Sequence, residues 1–260
     1  MNKILALKDM SYKLLDPQCI ILDKDGTIID VHHYWAKMTS LRIKLILDSY
    51  DLPAELQIKI SRSLKRSLGI NHRNKVSPEG PAGVLPRHKI NDTFKESLLD
   101  FDIKSTTKEI DLIFEKADEL SKKNIGSFLR VLPGVDKLIM DCNKHKVDLA
   151  LISNDIASRL ELTMRSLGYL DYFKYIIGQD CYKSPKPSKI MAEKVIQKGG
   201  YDSGKMASIG DHPNDIKMAF DARINGNIAV LSGLSKKEDF LDEKCIVIKS
   251  LKQLELSIDE

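Results

Sequence analysis

The stretch Ile20-Ile21-Leu22-Asp23-Lys24-Asp25-Gly26-Thr27 is an apolar strand that runs directly into two carboxylates and a glycine. A buried strand ending in Asp-x-Asp delivers both acids to one loop at the carboxyl edge of a sheet, where open α/β folds hold their ligands. Two acids that close repel one another unless a cation or a shared proton offsets the repulsion. Gly26 permits the tight turn that the backbone needs there. An acidic turn with glycine is common and usually just solvated. Its weight here comes from three later segments.

Outward from this loop, short apolar runs recur. Val147–Ile152, Tyr175–Ile177, Met206–Ile209, Ile228–Leu231 and Cys245–Ile248 read as strands. Helical patterns at Asp155–Leu167, Pro187–Lys198 and Pro213–Ala222 separate them. That alternation predicts an α/β fold, a Rossmann-like parallel sheet covered by helices on both faces. The stretch from about His32 to Asn124 differs in character and shows no strand pattern. Its amphipathic segments are Trp35–Tyr50, apolar at Met38, Leu41, Leu45 and Ile46, and Thr107–Leu120, apolar at Ile110, Ile113, Phe114, Ala117 and Leu120. A connection this long inside a compact sheet predicts an inserted all-helical domain. Its clear irregular loop is Ser77–Pro86, rich in proline and glycine. The expected division is therefore 1–30 and 131–260 as the α/β core and 31–130 as the helical insertion.

Three further strand ends carry chemistry. The strand at Leu149–Ile152 stops in Ser153-Asn154-Asp155, where a hydroxyl and an amide before a helix can donate to a phosphate oxygen. The same residues are also ordinary helix caps. Lys183-Ser184-Pro185-Lys186-Pro187 sets a lysine between prolines, with Pro187 expected as a first helical residue. The Lys186 ammonium could neutralise a nucleophilic carboxylate and a phosphate together, although a lone lysine is most often a surface group. Ile209-Gly210-Asp211-His212-Pro213-Asn214-Asp215 repeats the strand, glycine, acid sequence. Hard cations such as Mg²⁺ prefer oxygen ligands and keep several waters, so one or two carboxylates from here plus Asp23 suffice. His212, beside Pro213, reads as an incidental loop residue. In a parallel sheet all these strand ends share one edge, and the combination is far more specific than its parts.

Composition bounds the remaining possibilities. The 260 residues are 42% hydrophobic and 30% charged, with a net charge of +4 from 41 basic and 37 acidic residues. No basic block with interleaved aromatics is present, so no nucleic-acid partner is expected. The cysteines at 19, 142, 181 and 245 form no C-x-x-C pair, which disfavours a zinc site or a disulfide frame. Lys3, Lys8 and Lys13 interrupt the apolar residues of the N-terminal segment, and no membrane-spanning run exists. A cytoplasmic, reduced protein without a membrane partner follows. No interface pattern is legible, so the oligomeric state stays open.

Asp23-Lys24-Asp25-Gly26-Thr27, Ser153, Lys186 and Gly210-Asp211 with Asp215 resemble, in order, the four signature motifs of the haloacid dehalogenase superfamily. The helical insertion after the first motif is similar to that superfamily's C1 cap. Leu132 to Leu254, with Leu132-Pro133-Gly134-Val135 and Ile228–Gly233, resembles its phosphoglycolate-phosphatase-like members. Lys24 departs from the apolar or aromatic residue many relatives carry there, and the second proline common after the third-motif lysine is missing. The resemblance implies an Mg²⁺-dependent phosphatase acting on a small phosphorylated metabolite, phosphoglycolate- or sugar-phosphate-like. It implies Asp23 as the nucleophile and Asp25 as the acid and base. Asp23, Asp25 (by its backbone carbonyl) and Asp211 would hold the metal, Ser153, Asn154 and Lys186 the phosphate, and Asp215 would orient metal waters or Lys186.

Other readings share the core. A phosphomutase of the β-phosphoglucomutase type keeps both acids, whereas dehalogenases of the superfamily lack the second. A phosphonate-cleaving enzyme would place a Schiff-base lysine in the cap, with Lys37 and Lys44 as candidates by position alone. A receiver-like signalling protein also joins an acidic pocket to a Ser/Thr and a Lys, but the insertion and the length count against it. In the cap, His33 and Arg87 are the candidate substrate contacts; His88 reads as part of a solvated helix. The cap is expected to open and close about hinges near Asp30 and Arg130.

Overall fold

The computed structural model describes residues 3–83, 85 and 87–258. Pro86, the end of the expected irregular loop, lies outside the described residues. The elements run β1 (Lys3–Leu7), β2 (Lys13–Leu15), β3 (Cys19–Leu22), α1 (Val31–Leu47), α2 (Ala54–Ser67), α3 (Arg87–Leu99) and α4 (Thr107–Lys123). They continue through α5 (Val135–Lys144), β4 (Asp148–Ile152), α6 (Ala157–Ser166), β5 (Phe173–Ile177), α7 (Gln179–Tyr182) and α8 (Ile190–Gly199). The last are β6 (Met206–Gly210), α9 (Pro213–Asp221), β7 (Gly226–Val230), β8 (Ile246–Ile248) and β9 (Leu254–Ile258). The chain divides into two compact units, Met1–Asp30 with Val131–Glu260, and Val31–Arg130.

The first unit is built on a six-stranded parallel sheet in the order β5-β4-β3-β6-β7-β8. From β3 the chain winds outward through β4 and β5, then returns to β6 on the other flank and continues to β8. The reversal places the topological switch beside β3, where such sheets open a ligand crevice at their carboxyl ends. Leu22 is in register with Leu151 on one side and Ile209 on the other, so the three strands end level. Every residue of β3 is buried. A strand covered on both faces must be apolar throughout, which is why Cys19-Ile20-Ile21-Leu22 shows no alternation. On one face Cys19, Ile21, Ala150 and Ile152 pack against Met191 and Val195 of α8 and Met218 of α9. Each large aliphatic side chain buried this way contributes about 1.5–3 kcal/mol.

Two features depart from the sequence expectation. A second, antiparallel sheet of order β2-β1-β9 joins the two ends of the chain, with Lys3 opposite Ile258 and Ile4 opposite Leu15. The helix expected from Pro187 instead begins at Ile190 with Lys189 as its N-cap, and Pro187 lies in a turn after a cis peptide bond. The Lys186 main chain is anchored elsewhere, as the site shows, and the helix starts only after that anchor.

Among the described residues the second unit is helical, with one isolated bridge between Ile70 and Val76. In α4 the buried stripe is Ile110, Phe114, Ala117 and Ser121, whereas Leu120 is exposed. Thr106 and Glu109 form a reciprocal capping box that satisfies the first amides of α4. Phe114 meets Phe94 of α3 edge to face with ring centres 5.0 Å apart. Arg42 of α1 is buried with its guanidinium 4.3 Å from the Phe114 ring centre and 3.4 Å from Asp118. Among the described residues, no helix is long and apolar enough to cross a membrane.

Candidate functional site

Four strand ends of the first unit meet at one ammonium. Lys186 Nζ donates to Asp23 Oδ1 at 2.5 Å, to Asp215 Oδ1 at 2.5 Å and to the Ile152 carbonyl at 3.0 Å. An ammonium has three donors, and all three are used. The Lys186 main chain is fixed as well: its N–H donates to Asn154 Oδ1 at 2.7 Å and its carbonyl accepts from Asn154 Nδ2 at 3.4 Å. Asn154, expected to touch phosphate, has both ends of its amide committed to placing Lys186. Asp23 follows β3, and its N–H donates to the Ile209 carbonyl of β6 at 3.0 Å, which ties the first loop to the fourth.

Asp215 is the third residue of α9. Its Oδ2 accepts from His212 N at 3.1 Å while His212 Nδ1 accepts from Asn214 N at 3.1 Å. His212 is therefore the N-cap of α9 and half of a capping box, not an incidental loop residue. Pro213 occupies the first helical turn as expected. Asp211 Oδ2 accepts from Leu234 N at 3.3 Å. Its carboxylate lies so close to two glycines that a Cβ on Gly26 would approach Oδ2 to 2.4 Å and one on Gly233 to 1.7 Å. Gly26 also needs its positive φ of 85°, a conformation that costs glycine nothing.

Asp23, Asp211 and Asp215 offer oxygens that all lie within 4.8 Å of one another, and all three residues are buried. Three carboxylates share one ammonium, so negative charge is in excess. Burial pushes the Asp23 carboxyl up to about 7, with Asp215 and Asp25 adding to the rise and Lys186 opposing it. Burial also holds Asp211 well above the usual carboxylate range, helped by Asp23 and Asp215. For Lys186 burial disfavours the charge, but Asp215 and Asp23 outweigh it and hold the ammonium above its ordinary value. Oxygen-only donors with unbalanced negative charge fit a hard divalent cation such as Mg²⁺.

The remaining expected residues fall in two groups. Asp25 Oδ1 is buried without a hydrogen-bond partner, and its Oδ2 is 3.2 Å from Lys24 Nζ. Ser153 is buried next to the cluster, and its Oγ accepts from Asp155 N at 3.2 Å. None of Ser153, Asn154 and Asp155 caps α6, whose N-cap is Ile156 without a side-chain bond. His33 and Arg87 belong to the second unit. His33 lies half-buried on α1, and Arg87 opens α3 with its guanidinium paired to Asp118 and 5.7 Å from the Phe114 ring centre. Lys37 donates to the Ser127 carbonyl at 2.6 Å, and Lys44 and His88 are exposed.

Sequence reasoning quoted Ile228–Gly233 only as part of the resemblance and gave the loop after β7 no place in the site. Ser232 Oγ donates to the Gly26 carbonyl at 2.7 Å, and Gly233 makes room for Asp211. The signal was present: Ile228–Leu231 is another strand that ends in small polar residues, like the four that were read. It also missed the pairing of Lys24 with Asp155 at 2.6 Å.

The model of the haloacid dehalogenase-like hydrolase family matches residues 17–223. Among curated proteins, a phosphoglycolate phosphatase of Vibrio vulnificus is 24% identical over 108 residues, 42% of this chain and 47% of that protein. The chain thus spans about half the length of that relative. Among solved structures, a provisionally assigned β-phosphoglucomutase of Thermotoga maritima superposes with a TM-score of 0.66 at 17% identity, covering 90% of this chain and 95% of that one. YfnB of Bacillus subtilis, bound to magnesium, gives 0.60 at 16% identity, covering 91% and 96%. At these identities the likeness is one of fold.

Proposed function

The chain belongs to the haloacid dehalogenase-like hydrolases, and we propose that within that family it is a cytoplasmic, Mg²⁺-dependent phosphatase of a small phosphomonoester, phosphoglycolate- or sugar-phosphate-like. The observation that carries this reading is the convergence of Asp23, Asp211 and Asp215 on Lys186, drawn from separate strand ends. Asp23, Asp211 and the Asp25 backbone carbonyl would hold Mg²⁺, whose charge offsets the repulsion between nucleophile and phosphate.

The chain's own residues then divide the work. An Asp23 carboxylate oxygen forms a bond to phosphorus as the ester oxygen leaves with a proton from Asp25. The product is an aspartyl-phosphate on Asp23. Water next attacks phosphorus, gives its proton to Asp25, and releases phosphate with Asp23 restored. Ser153 and backbone amides hold the non-bridging oxygens, and Lys186, oriented by Asp215 and Asn154, supplies a fixed positive charge. Residues 31–130 serve as the C1-type cap, with His33 and Arg87 as substrate contacts. Arg87 would exchange Asp118 for the anionic group of the substrate.

A panel of phosphomonoesters assayed for inorganic phosphate, with Mg²⁺ and with EDTA, tests the reading. Phosphate release that requires Mg²⁺ supports it. No release from any ester, or release indifferent to EDTA, sinks it. Intramolecular transfer without net phosphate would instead show a mutase, which needs the same two acids.

A further inference from the structure

Lys24, the residue between the two acids of the first loop, is itself almost wholly buried, with its side chain 3% exposed. An ammonium in such a place is costly unless paired, and an apolar residue could fill the same space without that cost. Lys24 Nζ lies 2.6 Å from Asp155 Oδ2 and 3.2 Å from Asp25 Oδ2. Both ends of this strut are anchored. The Lys24 carbonyl accepts from Ile28 N at 2.9 Å and Ile29 N at 3.0 Å, which fixes its main chain. Asp155 is held by its own N–H to Ser153 Oγ at 3.2 Å and by its carbonyl, which accepts from Gln179 N at 3.1 Å. Its Oδ1 accepts from Ile156 N at 2.9 Å and has Arg159 Nε at 3.7 Å. Asp25 is the least secured of the three: Oδ2 has Lys24, and Oδ1 is buried without a partner.

We infer that Lys24 is a positioning residue for the phosphatase reaction, braced on Asp155, that holds the Asp25 carboxyl by Oδ2 in the place from which it gives and takes the proton. The inference rests on the proposed phosphatase reading. In the first step the phosphorus–ester bond breaks as the Asp23–phosphorus bond forms. The electron pair goes to the ester oxygen, which receives the proton from the Asp25 carboxyl. A misplaced Asp25 therefore harms only those esters whose leaving oxygen needs that proton.

The test compares kcat/KM for an alkyl phosphomonoester, glycerol 2-phosphate, with that for p-nitrophenyl phosphate, whose phenolate departs unprotonated. This constant reports only steps up to loss of the leaving group. In Lys24→Met the alkyl-to-nitrophenyl ratio of kcat/KM should fall about 10-fold or more, within what general acid catalysis supplies. Lys24→Arg should restore most of the ratio, and Asp155→Asn, which removes the brace, should lower it in the same direction. Equal losses on both esters, or a ratio unmoved in all three variants, overturns the inference. Should Lys24→Met fail to fold, the Arg and Asp155→Asn variants decide by the same ratio. A wild type that hydrolyses neither ester defeats the phosphatase reading and takes this inference with it. An active wild type with an unmoved ratio defeats this inference alone.

Discussion

Burial pushes the Asp23 carboxyl up to about 7, with Lys186 opposing the rise and Asp215 and Asp25 adding to it. A carboxyl raised above its unfolded value of about 4 favours the fold most below that value. The contribution disappears as pH climbs through about 7 and the charge appears in the crowded pocket. Protons and Mg²⁺ therefore compete for the same oxygens. Mg²⁺ should raise the Tm of metal-stripped protein more at pH 8 than at pH 6, as read by thermal melts. An equal or smaller rise at pH 8 would contradict the assigned ligands. Asp23→Asn removes one of the repelling carboxylates while keeping the shape of the side chain. It should abolish phosphate release with the circular dichroism spectrum unchanged, and measurable turnover would refute the nucleophile. Asp23, Asp211 and Asp215 were legible because they stand in, or just beyond, loops that leave apolar runs, and Lys186 because it sits between two prolines. The Lys24–Asp155 pair was not, because its partners stand 131 residues apart and no local pattern links them. His212 was misjudged since a histidine acting as N-cap has no signature distinct from one in a loop.

Helices and strands follow the same logic of visibility. The strands of the parallel sheet were readable because burial on both faces forces uninterrupted apolar runs. β1, β2 and β9 escaped notice because they are short, β1 and β2 each open on a lysine, and β9 pairs with β1 from the far end of the sequence. The start of α8 was misplaced because proline favours the first helical position in general, while here the Asn154 amide holds the preceding residue in a turn. In the helical unit, Phe114 is fully buried and meets Phe94, Arg42 and Arg87. Phe114→Ala should destabilise that unit by about 3–5 kcal/mol. Thr106→Ala removes only the capping hydroxyl of α4, at about 1 kcal/mol. Denaturant melts measure both, and a Thr106→Ala loss equal to that of Phe114→Ala would contradict this ranking.

At the scale of the whole molecule, the long connection announced a separate body, and its ends are adjacent within the first unit. Ile29 bridges Val131, and Leu132 N donates to the Ile28 carbonyl at 2.9 Å. The six-stranded core therefore does not need residues 31–130 to close its chain. Replacing them with a short Gly-Ser linker should leave a protein that unfolds in one cooperative transition. An aggregated or non-cooperative product would show that the helical unit is required for folding. The pairing of β1 with β9 has a different consequence, one of timing. During synthesis Lys3–Leu7 is made more than two hundred residues before its partner Leu254–Ile258. One edge of β1 must wait, open to other strands, until β9 has been made, so this ribbon is a place where a nascent chain is exposed to mispairing.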